Sequence, residues 1–389
     1  MKIRKNNPIH WILLGLFGLN VALTILFRRI TPKPAAHPRT VLLYGHKLNG
    51  NLLSIYRRLQ KDHSDAIRPV FLTMDPAYHR HLKAQGEDSC LATSPVAIWT
   101  LAHASAVISD HGLHAMQPML RTTDIRFFDV WHGIPFKGFD AEDFRTQHQY
   151  DEVWVASRLH RQLYLDHYGF REDQVIPTGY ARTDRLVTRK EDPARIRTRL
   201  GIPSAGPTIL FAPTWKQDDR GRSLYPFGHD ARTFLAALSA VAEKHDATIL
   251  VRPHLNAAET VPDHSRVRVL PSSHYPDTEE LLLVTDILVC DWSSIAFDFL
   301  LLDRPTFFLD VPPPFRKGFS LGPEYRFGSI LGDLPALADH LDSVLTSTTS
   351  YWAAHRATHH SIRSAIYDDC ADGRAGERCV HRLCQHLSI

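Results

Sequence analysis

The stretch Leu281–Leu309, LLLVTDILVCDWSSIAFDFLLLDRPTFFL, decides the fold. Ile287 to Cys290 is a short apolar run rich in branched side chains, and it predicts a strand buried on both faces. Asp291-Trp292-Ser293-Ser294 interrupts it, and Ile295 to Leu302 continues as an apolar helical run broken only by Asp298. Arg304-Pro305 stops that run before a second strand, Thr306 to Leu309. Two serines therefore stand where a parallel strand hands over to a helix. Backbone N–H groups in the first turn of a helix lack partners, and with the helix dipole they favour an anion. Open α/β sheets bind phosphorylated ligands at such turns. The plain alternative is that Ser293 or Ser294 only caps the helix.

The same alternation runs through most of the chain. Strands are predicted at Val41 to Tyr44, Pro69 to Thr73, Ala106 to Ser109, Arg126 to Val130, Glu152 to Ala156 and Val175 to Pro177. Helices are predicted at Asn51 to Gln60, Ala77 to Ala84, Pro95 to Ala104 and Arg158 to Tyr168. A charged connection, Arg182 to Pro207, carries a short helix. Strands then restart at Thr208 to Ala212, Thr248 to Val251 and Val267 to Leu270, with helices at Arg232 to His245 and Thr278 to Val284. The tail reads as helices at Pro335 to Leu345, Tyr351 to Ile366 and Gly376 to Leu387. The expected fold class is α/β, two Rossmann-like domains of parallel, doubly wound sheet. The expected division is a membrane anchor over 1–30, a linker over 31–39, an N-terminal domain over 40–200 and a C-terminal domain over 201–389.

Composition narrows the function classes. The 389 residues carry a formal net charge of only +3, so no general nucleic-acid-binding surface is implied. Five cysteines, an odd number with Cys290 inside a buried strand, do not form a disulfide framework and suit a reducing compartment. Cys370, Cys379 and Cys384 with His381 and His386 lack a standard zinc spacing and read as packing residues. No Asp-x-Asp pair calls for a catalytic metal, and no cofactor is expected. Ile9 to Phe27, IHWILLGLFGLNVALTILF, has no acidic residue and is long enough to span a bilayer. Arg28-Arg29 stand where a cleaved signal peptide needs small residues, so an uncleaved anchor is expected rather than a leader. Cations lie at both ends, Lys2, Arg4 and Lys5 before the segment and Arg28 and Arg29 after it, and they set no orientation. A helix lying on the membrane is disfavoured because the segment shows almost no polar face.

Five predicted strands end in loops of one chemical kind. They are Trp131-His132-Gly133-Ile134-Pro135-Phe136-Lys137, Gly179-Tyr180-Ala181-Arg182-Thr183-Asp184, Ala212-Pro213-Thr214-Trp215-Lys216, Arg252-Pro253-His254 and Asp291-Trp292-Ser293-Ser294. All fall at carboxyl ends of parallel strands, where this fold class binds ligands.

Taken in order, WHGIPFK, GYARTD, ILFAPTWK, VRPH and DILVCDWSSIAFDFLLLDRPTFF resemble the CDP-glycerol glycerophosphotransferase family, the primases and polymerases of teichoic acids and related capsules. The resemblance runs from about Ala106 to the closing ADGRAGERCVHRL. It implies a GT-B type fold, CDP-glycerol as donor and transfer of glycerol phosphate to a hydroxyl with release of CMP. It also implies a polyprenyl-linked glycan or polymer acceptor, and so an enzyme at the cell membrane, single-pass or membrane-associated, with its catalytic domains cytoplasmic. Two departures bear on the donor: Thr183 replaces the family's asparagine, and the Pro312-Pro313-Pro314 region differs from the usual pattern. Residues before Ala106 match weakly.

Phosphoryl transfer needs a base near the attacking hydroxyl and donors around the phosphates. His132 is the candidate base, with a loop-capping histidine as the alternative. Arg252 and His254 are assigned to the donor diphosphate, and His254 is a second catalytic candidate as acid to the leaving group. Ser293, Ser294, Thr214 and Lys216 complete the diphosphate set. Lys137, Asp110 and His111 are placed on the acceptor side. Alternatives are a CDP-ribitol-dependent transferase, a GT-B glycosyltransferase using a nucleotide sugar, and a non-catalytic scaffold of an envelope-polymer complex.

Overall fold

Thirteen strands form two parallel sheets among the described residues of this computed structural model, which are 7–30, 38–214, 225–252, 265–272 and 274–389. The first sheet contains β1 (Arg39–Tyr44), β2 (Ile67–Thr73), β3 (Ser89–Leu91), β4 (Ala104–Ser109), β5 (Arg126–Asp129), β6 (Glu152–Val155) and β7 (Val175–Pro177), in the order β3-β2-β1-β4-β5-β6-β7. The second contains β8 (Thr208–Ala212), β9 (Thr248–Val251), β10 (Val267–Val269), β11 (Ile287–Cys290), β12 (Thr306–Leu309) and β13 (Ser329–Leu331), in the order β10-β9-β8-β11-β12-β13. Each order reverses once, between β1 and β4 and between β8 and β11. Those reversals are the topological switch points where ligands bind in doubly wound sheets.

The central strands are covered on both faces, which is why they read as continuous apolar runs. β8, β9, β11 and β12 are buried along their whole length. Carboxylates and hydroxyls start the helices that cover them. Ser157 accepts from the His160 N–H before Arg158–Asp166, and Asp230 accepts from the Thr233 N–H at 2.7 Å before Ala231–Lys244. Parallel register aligns the loop starts: Tyr44 pairs with Ser109 and Ser109 with Asp129, while Ala212 pairs with Cys290.

The chain divides into two compact units, and they differ from the expected halves. The first comprises Met1–His132, Asp140–Asp184 and Arg374–Ile389, and the second Gly133–Phe139 and Arg185–Gly373. The boundary thus falls at 184/185 instead of 200/201, and the closing helix Ala375–Leu387 returns to the first unit. The reason is chemical. Asp184 accepts from the Ala375 and Gly376 N–H groups at 2.9 and 2.8 Å, which caps that helix from far away in sequence. Glu152, buried in β6, accepts from Arg382 and His386 and from Trp154 Nε1. Cys379 and Cys384 pack in the first unit's core, as packing residues.

Helix α1 (Pro8–Ile30) is long and apolar enough to cross a membrane. It nevertheless has a polar stripe that the sequence reading passed over. Asn20, Thr24 and Arg28, spaced four apart, face the first unit together with buried Phe17 and Val21. Three further helices of that unit follow in chain order, α2 (Gly50–Asp62), α3 (Pro76–Ala84) and α4 (Val96–Ala102).

Candidate functional site

The carboxyl edge of the first sheet carries a cluster of histidines at its switch point. β1 is followed by Gly45-His46, β4 by Asp110-His111 and β5 by Val130-Trp131-His132. The rings of His111 and His132 stack with centroids 4.5 Å apart and planes 5° from parallel. His46 lies against His111 at 4.2 Å, and His114 accepts or donates at 2.9 Å to Tyr44 Oη. Gly45 is required here: a Cβ would run into the Asp110 carboxylate and Leu52.

The orientation of His132 is set from behind. Its Nδ1 lies 3.0 Å from the Asp110 carbonyl oxygen, so Nδ1 carries the hydrogen and donates. In the neutral ring Nε2 then holds a lone pair, and it has no partner among the described residues. His132 is exposed at the surface, yet dense protein surrounds it. That desolvation, reinforced by the neighbouring His111, pulls the imidazole down to about 4, so it is an unprotonated base at neutral pH. Burial also lowers His111, but the Asp110 carboxylate, accepting from its Nδ1 at 2.7 Å, outweighs this and raises it above its ordinary value. Burial pushes Asp129 up to about 7 and holds His46 down at about 2 and His114 at about 4.

The loop that presents His132 is strained and clamped. Trp131 has φ +22°, a left-handed value that a bulky residue rarely adopts. Asn51 holds it: Nδ2 donates to the Val130 and Trp131 carbonyls at 2.7 and 2.8 Å, and Oδ1 accepts from the Arg182 N–H at 3.1 Å. The Asp129 carboxylate accepts from the Trp131 N–H at 3.0 Å. Asn51 is buried in the first turn of α2, so one side chain ties the start of that helix to the loops after β5 and β7.

The second sheet's switch point has a different chemistry. Asp291, buried after β11, accepts from the Thr214 N–H at 2.7 Å, from the Thr214 hydroxyl and from the Trp292 N–H at 2.7 Å. Both Thr214 donors are therefore spent on joining the β8 and β11 loops. Ser294 occupies the cap position of helix Ile295–Leu300 but its hydroxyl makes no capping bond, and Ser293 Oγ lies 3.5 Å from the Ile295 N–H, at the outer limit of a bond. Ser294 makes no capping bond, Ser293 accepts only that long contact, and both residues are half-buried. Trp292 donates from Nε1 to the Val311 carbonyl at 2.8 Å and carries the Arg326 guanidinium 4.4 Å above its ring.

Two expected site residues stand otherwise than the sequence suggested. Arg252 donates to the Leu270 carbonyl at 3.1 Å, to the Tyr275 carbonyl and to Thr278 Oγ1 at 3.3 Å, so its guanidinium organises loops of the second unit. Lys137 belongs to the second unit, where its ammonium lies 4.8 Å from the Phe139 ring centroid and its carbonyl accepts from Ser320 Oγ at 2.8 Å. Phe136 in that segment stacks on Phe297 at 4.5 Å. His254 and Lys216 lie outside the described residues. The structure does bring Asp110, His111 and His132 together. The sequence reading missed His46, Asn51, His114 and Asp129. The available signal was the run Gly45-His46-Lys47-Leu48-Asn49-Gly50-Asn51, a polar strand-end loop like the other five, in the region before Ala106 where the resemblance is weak.

Comparison with known proteins agrees with this architecture. Residues 26–385 match the family described as CDP-glycerol:poly(glycerophosphate) glycerophosphotransferase. A teichoic acid glycerol-phosphate transferase of Staphylococcus aureus is 28% identical over 295 residues, which cover 69% of this chain and 71% of that protein. A teichoic acid poly(glycerol phosphate) polymerase of Staphylococcus epidermidis is 29% identical over 208 residues, 47% of this chain but only 28% of the polymerase. A variant of the wall teichoic acid polymerase TagF superposes with a TM-score of 0.77 at 21% identity, over 97% of this chain and 95% of that one, which establishes a shared fold. The family match covers most of the chain, and the chain belongs to that family.

Proposed function

We propose, from that membership and from the geometry of the two sheet edges, that the chain transfers glycerol phosphate from CDP-glycerol to a hydroxyl of a lipid-linked glycan or polymer, releasing CMP. His132 is the base. Its Nδ1 is fixed by the Asp110 carbonyl, its Nε2 is open, and its depressed pKa keeps it unprotonated; this geometry is the observation that carries the reading. As the hydroxyl oxygen attacks phosphorus, His132 Nε2 takes its proton, and CMP leaves with the electrons of the cleaved P–O bond. The ring need not be strongly basic, since the proton is shed only as the new P–O bond forms. Asp110, through its carbonyl, and His111, by stacking, position the base.

The donor's diphosphate is assigned to the second unit. Ser293 and Ser294 supply the hydroxyls; Ser294 makes no capping bond and Ser293 only a long one to the Ile295 N–H. Thr214 acts by holding Asp291, and Arg252 by holding its loop. His254 and Lys216 complete the set as a candidate acid and a phosphate-neutralising cation. Lys137 contributes its charge from the second unit.

A lipid-linked acceptor gives the apolar α1 a purpose, because holding enzyme and substrate at one membrane raises their effective concentration. The catalytic units are assigned to the cytoplasmic face.

Purified protein incubated with CDP-glycerol, CDP-ribitol, UDP-sugars and GDP-sugars tests the donor. CMP release from CDP-glycerol, falling about 10²–10⁴-fold in His132→Ala, supports the reading. Release from no CDP-alditol, with turnover of a nucleotide sugar, makes the protein a glycosyltransferase. Binding of CDP without any turnover makes it a scaffold.

A further inference from the structure

The second unit contains a cavity of about 640 Å³ that the proposed reaction does not use. Small-molecule sites commonly have volumes of about 300–1,000 Å³. One wall is the helix Thr349–Tyr367, on which Trp352, Arg356, His359, Arg363 and Tyr367 recur every three or four residues and so share a face. Asp303 and Asp368 line it as well, both on backbone with positive φ, +51° and +42°. Asp303 stands just before Thr306, the first residue of β12, so the cavity lies at the amino edge of the second sheet. Ser293 and Ser294 follow β11, which runs parallel to β12, and so lie at the opposite edge, with a strand of about 13 Å between the two edges.

The cavity carries polar groups that the fold leaves unused. The His359 residue is 2% exposed, and its Nδ1 is buried without a partner among the described residues. A buried polar atom left in that state costs stability and calls for a ligand or another explanation. The tautomer follows from the neighbours. Tyr351 Oη accepts from the Thr306 N–H at 2.9 Å and donates to the Thr306 carbonyl at 3.2 Å, so His359 Nε2 donates to that hydroxyl at 2.8 Å. Burial lowers the imidazole to about 4, and in the neutral ring Nδ1 is then an acceptor. Asp303 Oδ2 accepts from Arg363 at 2.7 Å, while Oδ1 has no partner among the described residues. The Arg356 guanidinium lies 5.0 Å over the Trp352 ring and makes no ion pair among the described residues.

We propose that this cavity binds a phosphorylated polyol, with Arg356 on the phosphate and with His359 Nδ1 and Asp303 Oδ1 accepting from hydroxyls. An inorganic anion alone would face two carboxylates and a ring nitrogen that offers a lone pair. A neutral polyol would leave Arg356 without a counter-charge. A ligand with both kinds of group matches the whole set, and the guanidinium–phosphate bonds are charge-assisted. Two sources share this chemistry: a stretch of phosphodiester chain and a free alditol phosphate. The chain as source rests on the function proposed above, whereas the chemistry of the cavity does not. A chain held here and at its reacting end would leave the protein more slowly than one held at a single point.

Binding is measured by titration calorimetry on the full chain, apart from turnover, with Ser293→Ala and Ser294→Ala in every protein so that the serine loop does not contribute. The probes are glycerol 3-phosphate, a defined oligomer of glycerol phosphate, glycerol and inorganic phosphate. Both phosphorylated polyols are expected to bind, and glycerol and inorganic phosphate at least about tenfold more weakly. Arg356→Ala, at an exposed helix position where alanine is favoured, is expected to lower affinity for both esters at least about tenfold. An oligomer that binds more tightly than glycerol 3-phosphate supports the chain as source; equal affinity supports the free ester. His359→Gln is expected to weaken glycerol 3-phosphate and leave inorganic phosphate unchanged, and loss of both alike, or of neither, removes the imidazole from the site. Inorganic phosphate binding as tightly as the esters, binding of neither ester, or an Arg356→Ala protein that binds like its parent overturns the proposal. CMP release from CDP-glycerol by the unaltered chain keeps the two readings apart. Release without binding at the cavity removes this site alone, and binding without release removes the transferase reading alone.

Discussion

The two sheets share a parallel, doubly wound topology with one reversal each, yet their carboxyl edges are built from different groups. In the first unit strand-end loops meet through an amide, Asn51, and the loops beside it present imidazoles held below their ordinary value. In the second they meet through a carboxylate, Asp291, and present hydroxyls. A neutral amide can hold these loops without placing a charge beside a base. A carboxylate in the place of Asn51 would favour a protonated imidazole, as the Asp110 carboxylate does for His111. Beside hydroxyls assigned to phosphate, Asp291 has its Oδ1 turned to the Thr214 and Trp292 donors. One frame thus supports a proton acceptor on one sheet and an anion site on the other, and the joining residue differs accordingly.

Exchanging the chemistry of the joints tests this comparison. Asn51→Asp keeps the shape of the first joint but turns two donated bonds into repulsions with the Val130 and Trp131 carbonyls. Displacement of His132 by about 1 Å would lower kcat about 10²-fold, with the KM for CDP-glycerol unchanged, as initial rates of CMP release would show. An equal rise in donor KM would place Asn51 in the donor site instead. Asp291→Ala leaves the half-buried Thr214 and buried Trp292 N–H groups without that acceptor, a cost of about 1–3 kcal/mol. Its effect is expected in CDP affinity, measured by titration calorimetry, more than in the pH profile. Glu152→Gln weakens the tie between β6 and the closing helix, where Arg382 and His386 are part exposed. The expected loss is about 1–2 kcal/mol of stability, with turnover of the remaining folded protein unchanged, read by urea unfolding.

Acid should separate the units least dramatically but in a definite order. His46, His114, His132 and His160 in the first unit are all held below the ordinary imidazole value of 6.5, at about 2, 4, 4 and 3. Each binds fewer protons folded than unfolded between 6.5 and its own pKa, so stability falls as pH falls through that window. Asp129, raised to about 7, and His111, raised above its ordinary value, work the other way over part of the range, against four lowered imidazoles. In the second unit His359 is lowered to about 4 and His355 is lowered less. Hydrogen exchange between pH 6.5 and 4 is expected to show the first unit opening before the second; the reverse order would refute this assignment of the acid sensitivity.

Much of the frame was legible because central parallel strands are apolar throughout and their loops are polar. β7, β8 and β9 carry the bounds that pattern predicts. The edge strands β3 and β13, three residues each, were missed because so short a strand has no period to read. The domain boundary was misplaced because a composition shift cannot reveal that Asp184 caps a helix beginning at Ala375. His132 was legible as a strand-end histidine, but its clamp was not: Asn51 looks in sequence like any polar residue opening a helix. Thr214 and Arg252 have the composition of phosphate ligands, and only hydrogen-bond geometry shows their donors turned to Asp291 and to backbone carbonyls. The stripe Asn20, Thr24 and Arg28 was visible at helical spacing, yet it was outweighed by the hydropathy around it.

The claim on which the rest depends is that His132 Nε2 accepts the proton from the acceptor hydroxyl. Chemical rescue measures this directly: CMP release from CDP-glycerol by His132→Ala is followed with and without added imidazole across pH. The account predicts that imidazole restores turnover in proportion to its free-base concentration, while the variant binds CDP and melts like the wild type. Wild-type turnover in His132→Ala without imidazole, or a rate indifferent to imidazole at every pH in a folded, CDP-binding variant, would contradict it.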